Sequence, residues 1–317
     1  MKKIIVPIFV IMILFLGIEL VLRLTMGNMN IAPIQIHPGD GRCVGLTPGS
    51  SVTYTGWFWR VDPVQHGANQ YGYRGFPYDR QPPAGTFRIA VLGDSFVYGQ
   101  GVGADCTMPV FMESNLADRK VPVQVLNFGI PGINLAESIA QYEFFAKNWQ
   151  PHQVLLVISR NDLAEPLCDL FESRIHGWIL KKVYLYRSLY VLHNIFFQEK
   201  PTQMTLRQNQ NRILFFLGEL NETVRRSGAQ LVVVMLSCPA NGSALNRAVK
   251  EMGIPILNPG ERWWMDRVEV IQGEGHFTCL GNRVAAHIIS QWLIHNKLLP
   301  FKKVMGKKNF AFSRSVS

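Results

Sequence analysis

The chain lacks the sequence patterns of common metal and nucleotide sites. Its five cysteines and eight histidines form no C-x-x-C and no H-x-x-x-H pair, so no metal site is predicted. Gly99, Gly101 and Gly103 do not have the G-x-G-x-x-G spacing of a dinucleotide fingerprint, and no cofactor is predicted. A G-x-S-x-G motif is also absent, which excludes the nucleophile elbow of the α/β-hydrolase fold.

The cysteines are too few and too scattered to define a disulfide framework. Because their number is odd, at least one thiol has no partner within the chain. Cysteine count therefore leaves the redox compartment open. The five residues are Cys43, Cys106, Cys168, Cys238 and Cys279.

Positive charge exceeds negative charge, with 32 Lys and Arg against 22 Asp and Glu and a net charge of +10. Basic residues are concentrated after Phe301, where no acidic residue occurs. Such a tail suits an anionic surface, such as lipid headgroups or acidic glycans, or it is a solvated disordered segment. Nucleic acid is not a predicted partner, because the amino terminus indicates a membrane protein.

A long apolar run lies near the amino terminus. An uncharged stretch covers Ile4–Ile18, and the apolar pattern continues to Leu22 before Arg23. About 20 apolar residues are needed to cross a bilayer, so the sequence predicts an uncleaved transmembrane signal anchor over residues 1–26. Lysines before the run favour a cytoplasmic amino terminus. A secretory signal peptide is the alternative, although no A-x-A-like cleavage site follows.

Composition divides the remaining chain into three parts. Residues 27–68 are rich in Pro and Gly and form an extended lead-in, either a stalk or a segment that wraps the domain. Residues 69–299 have the length of one α/β domain with an ample core. Residues 300–317 form the basic tail.

Apolar runs alternate with helical patterns along residues 69–299. This alternation predicts βαβ units with right-handed crossovers and a parallel sheet. The predicted strands are Ile89–Leu92, Val123–Asn127, Val154–Ser159, Leu231–Leu236 and Ile254–Leu257. The predicted helices are Met108–Asp118, Leu135–Lys147, Ile213–Arg226 and Gly281–His295.

Polar residues and glycines follow three of the predicted strands. Ser95 comes after the first strand, Gly129 after the second and Asn161 after the third, and His276 precedes the last helix. In an open parallel sheet, ligands bind outside the carboxyl ends of the strands. Taken singly, each of these residues is also an ordinary turn or capping residue.

Taken in order, Gly93-Asp94-Ser95, Gly129, Asn161 and His276 resemble the four blocks of the SGNH (GDSL-like) hydrolase superfamily. The resemblance extends over residues 69–299 and implies a flavodoxin-like three-layer α/β sandwich with a central parallel sheet. The segment Asn69–Gly75 is similar to one found in membrane-anchored bacterial members of that superfamily.

The resemblance also implies a role for each of these residues. Ester cleavage needs a nucleophile, a base and hydrogen-bond donors aimed at the developing oxyanion. Ser95 would be the nucleophile, and His276 the base, since an unperturbed imidazole titrates near operating pH. The oxyanion hole would comprise the backbone N–H groups of Ser95 and Gly129 and the side-chain amide of Asn161. Glycine at position 129 permits close approach of the backbone.

Two positions depart from the pattern of the superfamily. Gly273 occupies the position where an aspartate usually orients the catalytic histidine. Glu274 is predicted to orient the imidazole of His276 instead, and the alternative is that it is a solvated surface charge and no acid is present. Ser159 replaces the usual glycine of the third block, where it either narrows the pocket or only packs.

An aromatic and basic segment covers residues 163–210. It follows the strand that precedes Asn161, so it is a candidate lid over the active site. It is equally a candidate for lying on the membrane, and a plain pair of amphipathic core helices is the simplest interpretation.

The sequence thus predicts a membrane-anchored serine esterase that cleaves an O-acyl ester, with O-acetyl favoured, outside the cytoplasm. Its partner would be an acylated small molecule or a cell-surface glycan, and no envelope partner protein is identified. An O-acyltransferase that modifies a surface polysaccharide is an alternative, because the same residues form the acyl-enzyme whether water or a sugar hydroxyl accepts the acyl group. A non-catalytic envelope scaffold or glycan-binding subunit of the same fold is a third reading, favoured by the departures at Gly273 and Ser159.

Overall fold

The structure is a computed structural model that describes most, but not all, of the chain. Asn161, Glu274, Gly273 and the basic tail lie outside the described residues, as does most of the aromatic segment. Helices and strands are numbered below in chain order among the described residues. These are 2–28, 34–36, 44–56, 61–117, 122–159, 162, 186, 188–189, 203–236, 243–272 and 275–300.

A five-stranded parallel sheet forms the centre of the domain, with the strand order β6-β5-β7-β8-β9. The order matches the flavodoxin-like arrangement, in which the ligand crevice lies at the carboxyl ends of the strands where the winding direction reverses. The predicted parallel α/β sheet is confirmed. The strands are β5 (Phe87–Gly93), β6 (Val123–Gly129), β7 (Gln153–Ile158), β8 (Gln230–Met235) and β9 (Ile256–Leu257).

Eight α-helices and two short 3₁₀ helices lie within the described residues. The four predicted helices are present, and the third begins earlier than expected because its first turns are polar and show no apolar periodicity. The helices are α1 (Lys2–Thr25), α2 (Ser95–Tyr98), α3 (Met108–Leu116), α4 (Leu135–Phe144), α5 (Gln203–Arg226), α6 (Ser243–Glu251), α7 (Glu261–Met265) and α8 (Cys279–His295). The 3₁₀ helices are Ala104–Cys106 and Ala146–Trp149.

Helices cover both faces of the sheet, which makes the three layers. In β5, Ala90 and Leu92 face one apolar core, and Ile89 and Val91 face the other. The first core is shared with α4 and α5, and the second with α3 and α8. Burial on both faces explains why the strands are continuous apolar runs and do not alternate with polar residues.

The lead-in packs against the sheet domain. Two antiparallel hairpins, β1–β2 and β3–β4, precede the sheet. Tyr54 and His66 of the second hairpin are buried, and their rings stack with centroids 4.5 Å apart. The second hairpin contacts the sheet domain, since Gln100 Nε2 donates to the Tyr54 hydroxyl at 3.2 Å. Residues 27–68 as one extended lead-in remain a prediction. The strands are β1 (Ile34–Ile36), β2 (Val44–Leu46), β3 (Ser51–Tyr54) and β4 (Val64–Gly67).

Helix α1 covers most of the predicted anchor. Glu19 and Arg23 form an ion pair on it at 2.8 Å. Within the described part of the chain, no helix is both long and apolar enough to cross a membrane. The transmembrane helix remains a prediction.

Candidate active site

The nucleophile turn begins where β5 ends. At Gly93 the backbone has φ +149°, and a Cβ there would lie 2.7 Å from the Val97 side chain and 2.8 Å from the Val157 carbonyl oxygen. Glycine is therefore required at this position. Asp94 caps α2 by accepting a hydrogen bond from Phe96 N at 2.9 Å. The result is that Ser95 becomes the first residue of a helix at the carboxyl edge of the sheet.

The structure brings Ser95 and His276 together, although they are 181 residues apart in the sequence. His276 Nε2 lies 2.8 Å from Ser95 Oγ, which is hydrogen-bond distance. The Phe96 ring contacts both His276, with centroids 5.4 Å apart, and Phe277, with centroids 4.9 Å apart. This geometry is the one that a nucleophile and its base require.

Burial keeps the His276 imidazole in its neutral form. Removal from solvent disfavours the imidazolium and lowers the pKa of His276 to about 4. The imidazole is therefore neutral at neutral pH. Only the neutral ring can accept the proton of Ser95.

The loop that carries His276 is folded on itself. Ile271 N donates to the His276 carbonyl oxygen at 2.7 Å, and Thr278 N donates to the Glu269 carbonyl oxygen at 3.1 Å. Thr278 then caps α8, since its hydroxyl accepts from Gly281 N at 3.0 Å. Since Glu274 lies outside the described residues, its role as the orienting acid stays a prediction.

Gly129 occupies the position that the parallel register predicts, directly beside Gly93 in the neighbouring strand. A Cβ at Gly129 would lie 2.2 Å from Tyr98 N, so no other residue fits against α2. However, Gly129 N donates a 2.9 Å hydrogen bond to Asn127 Oδ1, and this bond is buried. The N–H group that was expected to face the oxyanion is thus engaged elsewhere. Close packing against α2 is what requires glycine at this position.

Gly132 is a second glycine in the same loop, and the sequence analysis did not single it out. It has φ +78°, is exposed, and a Cβ there would meet no atom within 4 Å. Ile130 N donates to the Gly93 carbonyl oxygen at 3.1 Å, so the loop begins beside the nucleophile turn. The Pro131-Gly132 dipeptide is typical of the two central positions of a type II turn, and this signal was available in the sequence.

Ser159 connects two buried carboxyl groups behind the nucleophile. Its hydroxyl donates to Asp94 Oδ2 at 2.7 Å, and its backbone N donates to Asp162 Oδ2 at 2.8 Å. Burial raises the pKa of both aspartates, and the charge of Asp94 raises that of Asp162 further. The serine that departs from the superfamily pattern therefore supplies a hydrogen bond to the residue next to Ser95.

Arg74 anchors the segment that follows the nucleophile helix. It is 2% exposed, and its guanidinium donates to the carbonyl oxygens of Tyr98, Gly99 and Val102 at 2.6–3.0 Å. The guanidinium carbon also lies 4.2 Å from the centroid of the Tyr98 ring. Arg74 belongs to the Asn69–Gly75 segment that the resemblance had marked, but its acceptors could not be identified from the sequence.

His66 secures the same segment from the lead-in. Its Nε2 accepts a hydrogen bond from Gly101 N at 3.2 Å, and its ring lies edge-on to Tyr98. Burial, followed by the positive charge of Arg74, lowers the pKa of His66 to about 3. A neutral His66 is necessary here, because the protonated Nε2 could not accept from Gly101.

A disulfide joins Cys106 to Cys279, which are 173 residues apart in sequence. Cys106 ends the 3₁₀ helix that follows the nucleophile segment, and Cys279 is the first residue of α8, just after His276. This pairing could not be predicted, because cysteine spacing alone does not reveal which cysteines are joined.

These residues form a site suited to acyl transfer. A serine hydroxyl, a neutral imidazole in hydrogen-bond contact with it, and backbone N–H groups at a helix start are the components of nucleophilic catalysis on an ester. Among the described residues, no group of three histidine, cysteine, aspartate or glutamate side chains is placed to hold a metal ion.

Comparison with known proteins gives matches to solved structures alone. No protein-family model and no curated protein sequence matches the chain. A crystal structure of TesA aligns with a TM-score of 0.46 and 15% identity, over 67% of this chain and 99% of the other. A mutant of Axe2, an acetyl-xylooligosaccharide esterase from Geobacillus stearothermophilus, aligns with a TM-score of 0.43 and 13% identity. The alignment covers 70% of this chain and 97% of the other.

The psychrotrophic esterase EstA from Pseudoalteromonas sp. aligns with a TM-score of 0.42 and 11% identity, over 67% of this chain and 96% of the other. At these identities and scores the likeness does not assign a function to this chain. The functional proposal therefore depends on the site itself.

Proposed function

We propose that the chain is a serine esterase of the SGNH type. The observation that carries the proposal is the 2.8 Å contact between His276 Nε2 and Ser95 Oγ at the carboxyl edge of the sheet. Ser95 Oγ attacks the ester carbonyl while His276 Nε2 takes its proton. His276 then gives that proton to the leaving alcohol as the ester C–O bond breaks. Water attacks the acyl-enzyme in the same way, which releases the acid and restores Ser95.

The oxyanion would be held by N–H groups that remain open in this arrangement. Ser95 N is at the first position of α2, where a backbone N–H has no acceptor within the helix. Asn161 is retained as a second donor on the strength of the resemblance. Gly132 replaces Gly129 as the third candidate, because it is exposed and Gly129 N is bonded to Asn127. Asn161→Ala should lower kcat by about 100- to 1000-fold and change KM much less.

A small acyl group, such as acetyl, is the proposed substrate group. Ser95 is 8% exposed, and the Phe96 ring lies against His276, so little of the nucleophile is open to solvent and an aromatic ring lies beside it. An acetyl methyl would fit such surroundings, and a longer chain would need additional space. Comparing p-nitrophenyl acetate with the butyrate and octanoate esters tests this, and a preference for octanoate would contradict it.

We further propose that the domain acts outside the cytoplasm, next to a membrane. The Cys106–Cys279 disulfide is expected in an oxidising compartment. Helix α1 exposes apolar side chains along its length, including Phe9, Ile11 and Leu14, which favour an apolar environment. A membrane-impermeant protease applied to spheroplasts tests the location. Degradation of the domain is expected, and full protection in intact spheroplasts would contradict it.

The esterase proposal is tested with the full-length chain and p-nitrophenyl acetate. Wild-type protein should turn over the ester, whereas Ser95→Ala and His276→Gln should not. Turnover that is equal in wild type and Ser95→Ala would contradict the proposal and favour the scaffold alternative. Adding a surface glycan as acceptor distinguishes an O-acyltransferase, since the acyl group would then appear on the sugar.

A further inference from the structure

The disulfide connects the two segments that supply the catalytic pair. Cys106 lies on the segment that follows Ser95, and Cys279 lies three residues after His276. A chain of three residues spans at most about 10 Å, so His276 cannot be far from the crosslink. The Cα atoms of the two cysteines are 4.9 Å apart.

The nucleophile side of the crosslink is firmly held. Arg74 donates to three carbonyl oxygens between Tyr98 and Val102. The 3₁₀ turn that ends at Cys106 is closed by the hydrogen bond from Cys106 N to the Gly103 carbonyl oxygen at 3.0 Å. Cys106 therefore belongs to a rigid support.

The histidine side is held differently. The described main-chain hydrogen bonds of the loop run within it, from Ile271 N to the His276 carbonyl oxygen and from Gly275 N to the Ile271 carbonyl oxygen. The Asn282 side chain ties the loop to α8 by donating to the carbonyl oxygens of Phe277 and Thr278 at 3.4 and 3.2 Å. None of these bonds reaches the segment that carries Ser95. The contacts of Phe96 with His276 and Phe277 are apolar and non-directional.

We propose that the Cys106–Cys279 disulfide positions His276 against Ser95, so that its reduction lowers the rate of acyl transfer. This inference rests on the proposed esterase function. Both cysteines are half-buried, so a small reductant can reach them. An added dithiol would convert the disulfide into two thiols and would itself be oxidised to a cyclic disulfide. The enzyme would then work fully only in an oxidising compartment.

Kinetics of the full-length chain distinguish a positioning role from simple loss of stability. Cys106→Ala/Cys279→Ala should lower kcat by about 10- to 100-fold, with KM changed less, since small misplacements of a catalytic group are costly. Wild type should lose the same activity in dithiol and recover it on reoxidation. The double variant should respond to neither treatment.

The matched control is Leu293→Ala, which opens a cavity under α8 away from the catalytic pair. It should lower the melting temperature and keep kcat at temperatures where the protein is folded. If kcat of the folded double variant equals that of wild type, the positioning role is overturned. Equal loss of kcat in Leu293→Ala would overturn it as well.

A second readout does not depend on activity. The NMR titration of ¹³C-labelled His276, assigned with His276→Gln, reports the surroundings of the imidazole directly. The wild-type pKa of about 4 should rise towards 6.5 in the double variant, because a loosened loop exposes the ring. If wild type has no esterase activity but the pKa of His276 still rises in the double variant, the proposed esterase function is refuted and the positioning role is retained. An unchanged titration with unchanged kinetics would refute the positioning role alone.

Discussion

The Ser159 hydroxyl donates a 2.7 Å hydrogen bond to Asp94, the residue that immediately precedes the nucleophile. Asp94 in turn accepts from Phe96 N and so fixes the start of α2. Ser159 is thus connected to Ser95 through Asp94, by one hydrogen bond and one peptide bond. A position that departs from the superfamily pattern supports the geometry of the nucleophile turn.

Removal of this hydroxyl should destabilise the protein. Ser159→Ala leaves a buried Asp94 oxygen without its donor, which typically costs about 1–3 kcal/mol in the free energy of unfolding. Urea unfolding measures this loss, and kcat should fall with it. Ser290→Ala is the matched control: Ser290 is equally buried on α8, and its hydroxyl has no hydrogen-bond partner within the described structure. Equal effects of the two substitutions would argue against a special role for Ser159.

Gly129→Ala should be strongly destabilising for steric reasons. A Cβ at this position would lie 2.2 Å from Tyr98 N, and overpacking in a core typically costs about 1–3 kcal/mol or more. Gly218→Ala on α5 is the control, because a Cβ there meets no atom within 4 Å and alanine is the better helix former. Thermal unfolding should show opposite signs for the two variants. A neutral Gly129→Ala would mean that the loop after β6 is more open than described.

Glu274→Gln tests the orienting acid that the sequence predicts. If the carboxylate holds the correct tautomer of His276, the variant should lose kcat by orders of magnitude, up to about 10⁴-fold. KM should change little, because a group that only orients the imidazole does not bind the substrate. Glu269→Gln serves as the control, since Glu269 is exposed in the same loop and accepts from the Thr278 hydroxyl. Wild-type kinetics in Glu274→Gln would show that His276 acts without this acid.

The protein should become less stable as the pH is lowered, and His66 should account for part of this loss. Its pKa is about 3 in the folded protein and near 6.5 when unfolded, so below pH 6.5 the unfolded chain binds the proton first. The free energy of unfolding therefore decreases by about 3 kcal/mol as the pH falls from 6.5 to about 4. His66→Gln keeps an acceptor for Gly101 and should show a flatter dependence. His287→Gln is the control, because His287 is exposed, and its stability should depend on pH as in wild type. The same pH dependence in wild type and in both variants would contradict the role of His66.

The sheet was accessible from sequence for a physical reason, and Ser95 and His276 were accessible through a resemblance. Strands that are buried on both faces are short continuous apolar runs, so β5, β7 and β8 could be placed within about one or two residues. Ser95 and His276 were marked by the resemblance of four sequence blocks, in order, to those of the SGNH superfamily. Ser95 lies at the carboxyl edge of the sheet, and the loop before α8 brings His276 to 2.8 Å from it.

Interactions between distant segments could not be predicted. The Arg74 guanidinium binds carbonyl oxygens of a loop whose path is set by tertiary packing, and the Cys106–Cys279 pairing is not encoded in cysteine spacing. Gly129 was predicted to offer its N–H to the oxyanion, because glycine permits close approach of the backbone. In the structure the element that approaches Gly129 closely is α2, and the Gly129 N–H donates to Asn127 Oδ1. Helix α6 was missed because it is a short segment with few apolar residues.

The central claim is that neutral His276 activates Ser95, and fluorophosphonate labelling tests it most directly. The rate of labelling should be followed from about pH 3 to pH 8 in wild type and in His276→Gln, with peptide mass spectrometry to locate the label. The label is expected on Ser95, and the wild-type rate should decline only as pH falls through about 4. The His276→Gln rate should be lower by about 100-fold or more. A label on another residue, or equal rates in the two proteins, would contradict the claim.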